Sequence, residues 1–357
     1  MANQTQSREI RIKVTAEHDY YVRLNVPWQK TLLARARGRK TLIIAPQNIV
    51  DKFKLLPLVE KNPQSALTIV PDGEQQKSFE TFQRVLDVCG EIGIGRDGLI
   101  VGIGGGATTD LAGFVAASWL RGIDWVAIPT TVAGMVDAAI GGKTGINSRH
   151  GKNLVGAFHS PREVIIDLTF LKTLSPRDIS AGLAEVVKCG FIDDGSILKD
   201  ITAYIKKKER LPSPQLIAKA VKVKARVVSQ DFTESFLREI LNYGHTLGHA
   251  IEKHSHYSLR HGEAISIGMI FAAELSGLTE KLSPAVITQH REILTALNLP
   301  ITYSKDAWPE LSHLLLGDKK VKRGRVRFVT LKRIGRTSRA EKISPATLRR
   351  AYERISQ

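Results

Sequence analysis

Cysteine is almost absent from this 357-residue chain: Cys89 and Cys189 stand far apart, in no CxxC pair. That leaves no disulfide framework and fits reduced thiols in a cytoplasm. Long apolar runs are missing as well. A membrane span needs roughly 18–20 uninterrupted apolar residues, and Glu274 interrupts even the Ile265–Leu278 stretch. Met1–Val14 is polar with no apolar core, so nothing there reads as a secretion signal. There is no internal repeat and no low-complexity tract. What is present, 43% hydrophobic and 24% charged residues, excludes disorder as the main state and suffices for a sizeable core in one large or two ordinary domains.

Charge is lopsided: 52 Lys+Arg against 35 Asp+Glu give a net +17, which invites a nucleic-acid reading. Mapping weakens it. Fourteen of the bases and two acids fall between Lys319 and Arg354, a net of +12, leaving only +5 for everything before. The basic segment interleaves with Val326, Phe328, Val329, Leu331 and Ile334 in a strand-like pattern, so it reads as a solvated surface and nucleic acid is not expected as the primary partner.

The first half alternates short β-branched runs with helical stretches. Tyr20–Val26, Thr41–Ala45, Ala66–Val70, Gly98–Ile103, Trp125–Ile128 and Val164–Leu168 read as strands. Strands separated by helices argue for a parallel-type sheet in an α/β domain. From Ser175 the texture becomes helical, with helices predicted over Pro176–Phe191, Ile197–Lys207, Pro214–Val228, Glu239–His254, Gly262–Leu278, Thr288–Leu297 and Ala307–Leu316, and a last one opened by Ser344 and Pro345. A hairpin is expected over Lys320–Leu331, turning around Gly324. The expected division is an α/β domain over residues 1–170 and a mainly α-helical domain over 171–357, a junction of the kind that often forms a ligand cleft.

Three groups of residues carry chemistry. Leu99–Gly106 is a strand running into a glycine cluster ahead of a helix, a place where backbone can approach a phosphate and a helix N-terminus can receive it. Gly102, Gly104 and Ala107 formally satisfy G-x-G-x-x-A, but the turn follows about the fourth strand and Asp124 precedes a strand instead of ending one, so a standard Rossmann fingerprint is not supported. Five of the ten histidines fall within His245–His261. His245 and His249 share a helix face at i, i+4, His261 follows, and Glu185 and Lys188 pair a carboxylate with an amine at i, i+3; two or three imidazoles with one carboxylate suit Zn²⁺ with an open position. Spacing leaves open which two histidines would bind, while His254 and His256 are offset from this face. Finally, Asp137–Asn147 and Gly151-Lys152-Asn153 set Lys143 and Lys152 in apolar, glycine-rich turns. With Lys188, Lys224, Arg238 and Asn242 they suggest a small acidic, phosphorylated substrate held by point charges.

Nine motifs, in order from about residue 40 to 335, resemble the 3-dehydroquinate synthase family: Asp72-Gly-Glu-Gln-Gln-Lys77, Gly104–Asp110, Arg121-Gly, Pro129-Thr-Thr131, Asp137–Lys143, Gly151-Lys-Asn153, Gly182–Lys188, Leu241–His249 and His261-Gly-Glu263. The resemblance implies an NAD-binding α/β domain and a helical domain with the active site between them, a cytoplasmic homodimer, and conversion of 3-deoxy-D-arabino-heptulosonate 7-phosphate to 3-dehydroquinate and phosphate with NAD and Zn²⁺ or Co²⁺. It implies Glu185, His245 and His261 as metal ligands. NAD contacts would be Asp72, Gly73, Glu74, Gln75, Gln76, Lys77, Gly106, Ala107, Thr108, Thr109, Asp110, Thr130, Thr131, Lys143, Lys152, Phe170, Leu171, Lys172 and Thr173. Substrate would meet Asp137, Lys143, Asn153, Lys188, Lys224, Arg238, Asn242 and His249, with Lys319 or Lys320 closing the pocket and Arg121 reaching in from a neighbouring subunit. Ala138-Ala139 and Gly134-Met135 depart from the family pattern without removing a ligand or a charge. Related sugar-phosphate cyclases alter the Arg238…Asn242…His245…His249 segment, which is complete here; a metal-dependent polyol dehydrogenase of the same fold is the other rival.

Overall fold

A computed structural model describes residues 9–317 and 326–357. The chain forms two compact units, one running to Leu174 and taking back Lys224–Thr233, the other made of Ser175–Val223 and Glu234 onward. The division is therefore not a single cut: the Pro214–Gln230 helix belongs to the second unit up to Val223 and to the first from Lys224.

The first unit is built on a seven-stranded sheet. Its strands are β1 (Ile10–Val14), β2 (Tyr20–Leu24), β3 (Thr41–Pro46), β4 (Ser65–Val70), β5 (Leu99–Gly104), β6 (Asp124–Pro129) and, later in the chain, β9 (Glu163–Ile166). The spatial order is β1-β2-β9-β6-β5-β3-β4, every neighbouring pair parallel except β1 with β2. Strands β3 and β5 are buried along their whole length, as continuous apolar runs in a two-sided parallel sheet should be. The order places β3 and β4 on one side of β5 and β6 and β9 on the other. The connection from β4 to β5 thus jumps across β3, and such a switch point, beyond the strands' carboxyl ends, is where open α/β sheets bind ligands. The glycine turn ends β5, the fifth strand, because the edge strand β1 precedes the predicted set. Lys143–Ser148 (β7) and Gly151–Phe158 (β8) form a separate antiparallel hairpin where the sequence reads only as glycine-rich turns.

The second unit is helical around His261–Thr279, which is buried along nearly its entire length. Pro176–Ile192 opens as its sequence predicts, with the Ser175 hydroxyl accepting the Asp178 N–H at 3.1 Å and Pro176 in the first turn. The continuous helix expected over Glu239–His254 is broken. A 3₁₀ turn, Leu237–Asn242, is separated from the His245–His254 helix by Gly244 at φ +79°, a left-handed conformation that ends one segment and re-aims the next. A hairpin is seen further along the chain. It joins β10 (Phe328–Arg333) to β11 (Arg336–Ala340), turning at Gly335 with φ +74°; the strand expected from Lys320 and the turn at Gly324 lie in or beside the segment outside the described residues. Among the described residues no helix is long and apolar enough to cross a membrane.

Candidate active site

In the second unit, three helices bring one carboxylate and two imidazoles to a point. Glu185 lies mid-helix in Pro176–Ile192, His245 begins His245–His254, and His261 begins His261–Thr279. Glu185 Oε1 lies 3.6 Å from His245 Nε2 and 3.4 Å from His261 Nε2. Four-coordinate zinc with ligands at 2.0–2.1 Å separates its donors by about 3.3 Å, so these atoms nearly surround a metal-sized space. The other ring nitrogens are held outward: His245 Nδ1 is 3.1 Å from the Tyr243 carbonyl and His261 Nδ1 is 3.3 Å from Glu252 Oε2. The Tyr243 carbonyl can only accept, so His245 carries its hydrogen on Nδ1 and turns Nε2 to Glu185, the arrangement metal-binding histidines share, and His261 likewise turns Nε2 to Glu185 with a carboxylate behind it.

Electrostatics point the same way. Among the described residues neither buried Glu185 oxygen has a hydrogen bond of good geometry; the group is surrounded by nitrogens, Lys188 Nζ in close ion contact among them. Burial opposes its ionisation, but Lys188 and the imidazoles outweigh it and hold the carboxyl well below its usual range. Burial, then Lys188, keeps His245 neutral. Burial also works against a proton on His261, yet Glu185 and Glu252 on either side raise it to about 10. The i, i+4 pair therefore divides. His245 belongs with Glu185 and His261, whereas the exposed His249 forms a second group with Glu252 and His261. Arg238 is almost wholly buried in the 3₁₀ turn, and Asn242 Nδ2 donates to Glu234 at 3.2 Å.

The first unit gathers the other predicted residues. Asp72 follows β4 and caps a short 3₁₀ turn, Gly73–Gln76, its Oδ1 accepting the Gly73 N–H at 2.8 Å. Glu74 accepts from Asn147 Nδ2 at 2.7 Å, Gln75 is exposed and Gln76 buried. Lys77, 3% exposed, donates to Asp110 Oδ2 at 2.6 Å and bonds to Asn153, tying the N-terminal half of the Gly106–Ser118 helix to the β7–β8 hairpin. Burial pushes the Asp110 carboxyl up to about 6 against the pull of Lys77. At the glycine turn a Cβ on Gly104 would strike the Thr108 side chain, and one on Gly106 would lie 2.9 Å from Ala138 Cβ, so close packing around the turn excludes a side chain at both positions. Thr108 Oγ1 is buried with no hydrogen-bond partner among the described residues, and the Thr130 N–H donates to the Gly104 carbonyl at 2.8 Å. Ala107 and Thr109 complete the helix's first turn; Thr131 Oγ1 accepts the Gly134 N–H at 3.1 Å.

Asp137 sits on a π-helical turn, Gly134–Ala138, a distortion common at functional sites, in close ion contact with the buried Lys224. Lys224 is thus brought to Asp137 because its end of the helix belongs to this unit. Lys143 and Lys152 stand on the β7–β8 hairpin. Phe170 and Leu171 are wholly buried, Phe170 packed 4.4 Å from Phe53, so their side chains serve the core while Lys172 and Thr173 end the same 3₁₀ turn. Arg121 is exposed at φ +66°. Lys319 and Lys320 lie outside the described residues. Glu252, the outward partner of His261, was missed; its spacing of i+7 from His245 and i+3 from His249 places it on their helix face and is the signal that finds it.

Solved structures share this architecture. The 2-epi-5-epi-valiolone synthase ValA from Streptomyces hygroscopicus, with NAD⁺ and Zn²⁺ bound, superposes with a TM-score of 0.87 at 25% identity over 97% of this chain and 99% of that one. A 2-deoxy-scyllo-inosose synthase complexed with carbaglucose-6-phosphate, NAD⁺ and Co²⁺ gives 0.84 at 23% over 97% and 100%. The class is that of the sugar-phosphate cyclases. Within it, residues 67–181 match the model of the 3-dehydroquinate synthase N-terminal family and 182–321 that of its C-terminal counterpart. The 3-dehydroquinate synthases of Mycolicibacterium vanbaalenii and Streptomyces avermitilis are 50% identical over 303 residues, 84% of each chain, and 46% identical over 326, 90% of each. The chain belongs to the 3-dehydroquinate synthase family.

Proposed function

We propose that this chain converts 3-deoxy-D-arabino-heptulosonate 7-phosphate to 3-dehydroquinate and phosphate, as an NAD- and divalent-metal-dependent cytoplasmic homodimer. The observation that carries the metal dependence is the convergence of Glu185 Oε1, His245 Nε2 and His261 Nε2, each imidazole held by its outer nitrogen. These residues fit a divalent ion. The glycine turn at the sheet's switch point, with a helix N-terminus and an unsatisfied Thr108 hydroxyl beside it, fits the pyrophosphate of a dinucleotide.

When bound, NAD⁺ supplies a reversible hydride acceptor for C5, and the ion supplies Lewis-acid activation of the hydroxyl it contacts. The chain does the rest by positioning and electrostatics. Lys188, buried against Glu185, keeps that carboxylate ionised and offers an ammonium to the substrate. The Asp137–Lys224 pair presents an acceptor and a donor together, and Arg238, Asn242, Lys143, Lys152 and Asn153 supply cations and amides for the carboxylate and phosphate. Once C5 is a ketone, the neighbouring C6 proton becomes acidic and phosphate can leave, with the substrate's own phosphate able to take the proton. With the hydride acceptor working reversibly at C5, ring opening and aldol closure would complete the carbocycle. Arg121, exposed on its strained turn, is read as the residue offered to a partner subunit.

The test follows phosphate and NADH together during incubation with the heptulosonate phosphate. Stoichiometric phosphate with no net NADH is expected, abolished by chelation and restored by Zn²⁺ or Co²⁺. NADH accumulating with product would instead identify a polyol dehydrogenase, and full activity after complete metal removal would sink the metal assignment.

A further inference from the structure

Two imidazoles face Glu185, but they are held by different means. His245 is only 10% exposed and packed among helices, its Nδ1–H directed to a backbone carbonyl, that of Tyr243. The His261 side chain is 41% exposed and belongs to the first residue of its helix; among the described residues its ring neighbours are the imidazoles of His245 and His249, with centroids 5.4 and 6.0 Å away. What reaches it is a side chain: Glu252 Oε2, 3.3 Å from Nδ1. The Glu252 side chain is itself 7% exposed, on the helix that carries His245. Its backbone is anchored as well, since its carbonyl accepts the Tyr257 N–H at 2.8 Å and the Ser255 hydroxyl at 3.1 Å, which fastens the turn between the two helices. From the other side the Glu263 carboxylate accepts the Arg260 N–H at 2.9 Å and pairs with Arg177, fixing the backbone at residues 260–263 without touching the ring. Backbone and ring of His261 are therefore held by separate carboxylates.

We propose that Glu252 is the positioning residue of the metal centre: by accepting the Nδ1–H of His261 it selects the tautomer and ring orientation that present Nε2 beside Glu185, and its negative charge strengthens that nitrogen as a donor. The inference rests on the metal reading of the site. A carboxylate behind a ligating histidine typically contributes 10- to 100-fold in metal affinity, and here it does so for the ligand that packing leaves loosest.

The test measures Co²⁺ and Zn²⁺ dissociation constants by competition with a chromophoric chelator, together with the visible spectrum of the cobalt form, for the full-length wild type, Glu252→Gln, Glu252→Ala and His261→Ala. One equivalent bound by the wild type, a roughly 10- to 100-fold weaker site with an altered cobalt spectrum in Glu252→Ala, and partial rescue in Glu252→Gln, whose amide oxygen still accepts the proton, are expected. NAD affinity should not move. Should Glu252→Ala fail to fold, the isosteric Glu252→Gln decides: affinity and spectrum unchanged from wild type overturn the proposal. A second equivalent in the wild type that vanishes in Glu252→Gln also overturns it, since Glu252 would then be a ligand of its own ion with His249. A wild type that takes up no ion, or a His261→Ala variant that binds normally, overturns the metal reading itself, which separates the two failures.

Discussion

Gly262→Ala is a one-methyl perturbation between His261 and Glu263 whose effect can be worked out from geometry. A Cβ at residue 262 would lie 2.5 Å from the carbonyl carbon of Ala181 and 2.9 Å from its Cα, and closer still to its oxygen. Carbon atoms pack at about 3.5–4.0 Å from carbon and at about 3.3 Å from a carbonyl oxygen, and the obstacle is backbone, so the start of the His261–Thr279 helix must retreat by about 1.5 Å from the Pro176–Ile192 helix. Ala181 is one turn before Glu185 on that helix, so the same retreat separates His261 Nε2 from Glu185. Metal centres tolerate ligand displacements of only about 0.2 Å. The substitution should therefore cost about 1–3 kcal/mol in stability through overpacking and weaken metal binding by more than about 100-fold, beyond the loss of a supporting contact. Gly277→Ala on the same helix is the control. Its Cβ meets only the mobile tip of Ile287 at 3.0 Å, and alanine is the better helix former, so affinity should hold. Chelator competition and thermal unfolding of the apo-protein read the two effects separately. A Gly262→Ala protein that binds Zn²⁺ as the wild type does would refute the reasoning.

Other consequences are equally open to measurement. His290, wholly buried with Nε2 3.0 Å from the Tyr243 hydroxyl and its ring stacked on Phe191, is depressed by burial to about 3. Below pH 6.5 the unfolded chain takes up a proton that the folded one refuses, so stability falls as pH falls, by about 2 kcal/mol between pH 7 and 5. Urea titrations at both pH values should show that loss in the wild type and not in His290→Leu; equal losses would remove His290 as the cause. Lys77→Met strips the half-buried Asp110 of its cation and frees Asn153 from the turn, so NAD binding should weaken at least tenfold while metal affinity stays unchanged; calorimetry showing wild-type NAD affinity would separate Lys77 from the dinucleotide site.

Much of the first unit was legible because its central strands are what a parallel sheet needs, short β-branched runs bounded by glycine, proline and aspartate. The β7–β8 hairpin was not: Gly145, Gly151 and Gly156 mask a strand pattern, although Gly145 and Gly156 pair directly across the hairpin, where neither has room for a side chain. The helix read through residue 244 failed because an apolar period says nothing of a left-handed glycine inside it. At the candidate site, spacing correctly put His245 and His249 on one face but could not show that they serve different groups, since that depends on Glu185, sixty positions earlier. The basic C-terminal region was read as solvated surface, yet part of it is structural. Arg339 pairs with Glu239 at 2.9 Å and lies 3.6 Å above the Phe236 ring, and Arg354 pairs with Glu274 at 3.0 Å. Those partners are distant in sequence, which is why charge counting could not find them.

The wide sequence separation of Glu185, His245 and His261 has a mechanical side. An ion shared by those three helices would be a cross-link closing one loop of sixty residues and another of sixteen. Binding the folded chain in preference to the unfolded one, it would add about 4 kcal/mol to stability at a thousandfold excess over its dissociation constant. Metal supply would then govern how long this protein survives proteolysis as well as how fast it turns over, and metal-starved cells would hold less of it, not merely a less active form.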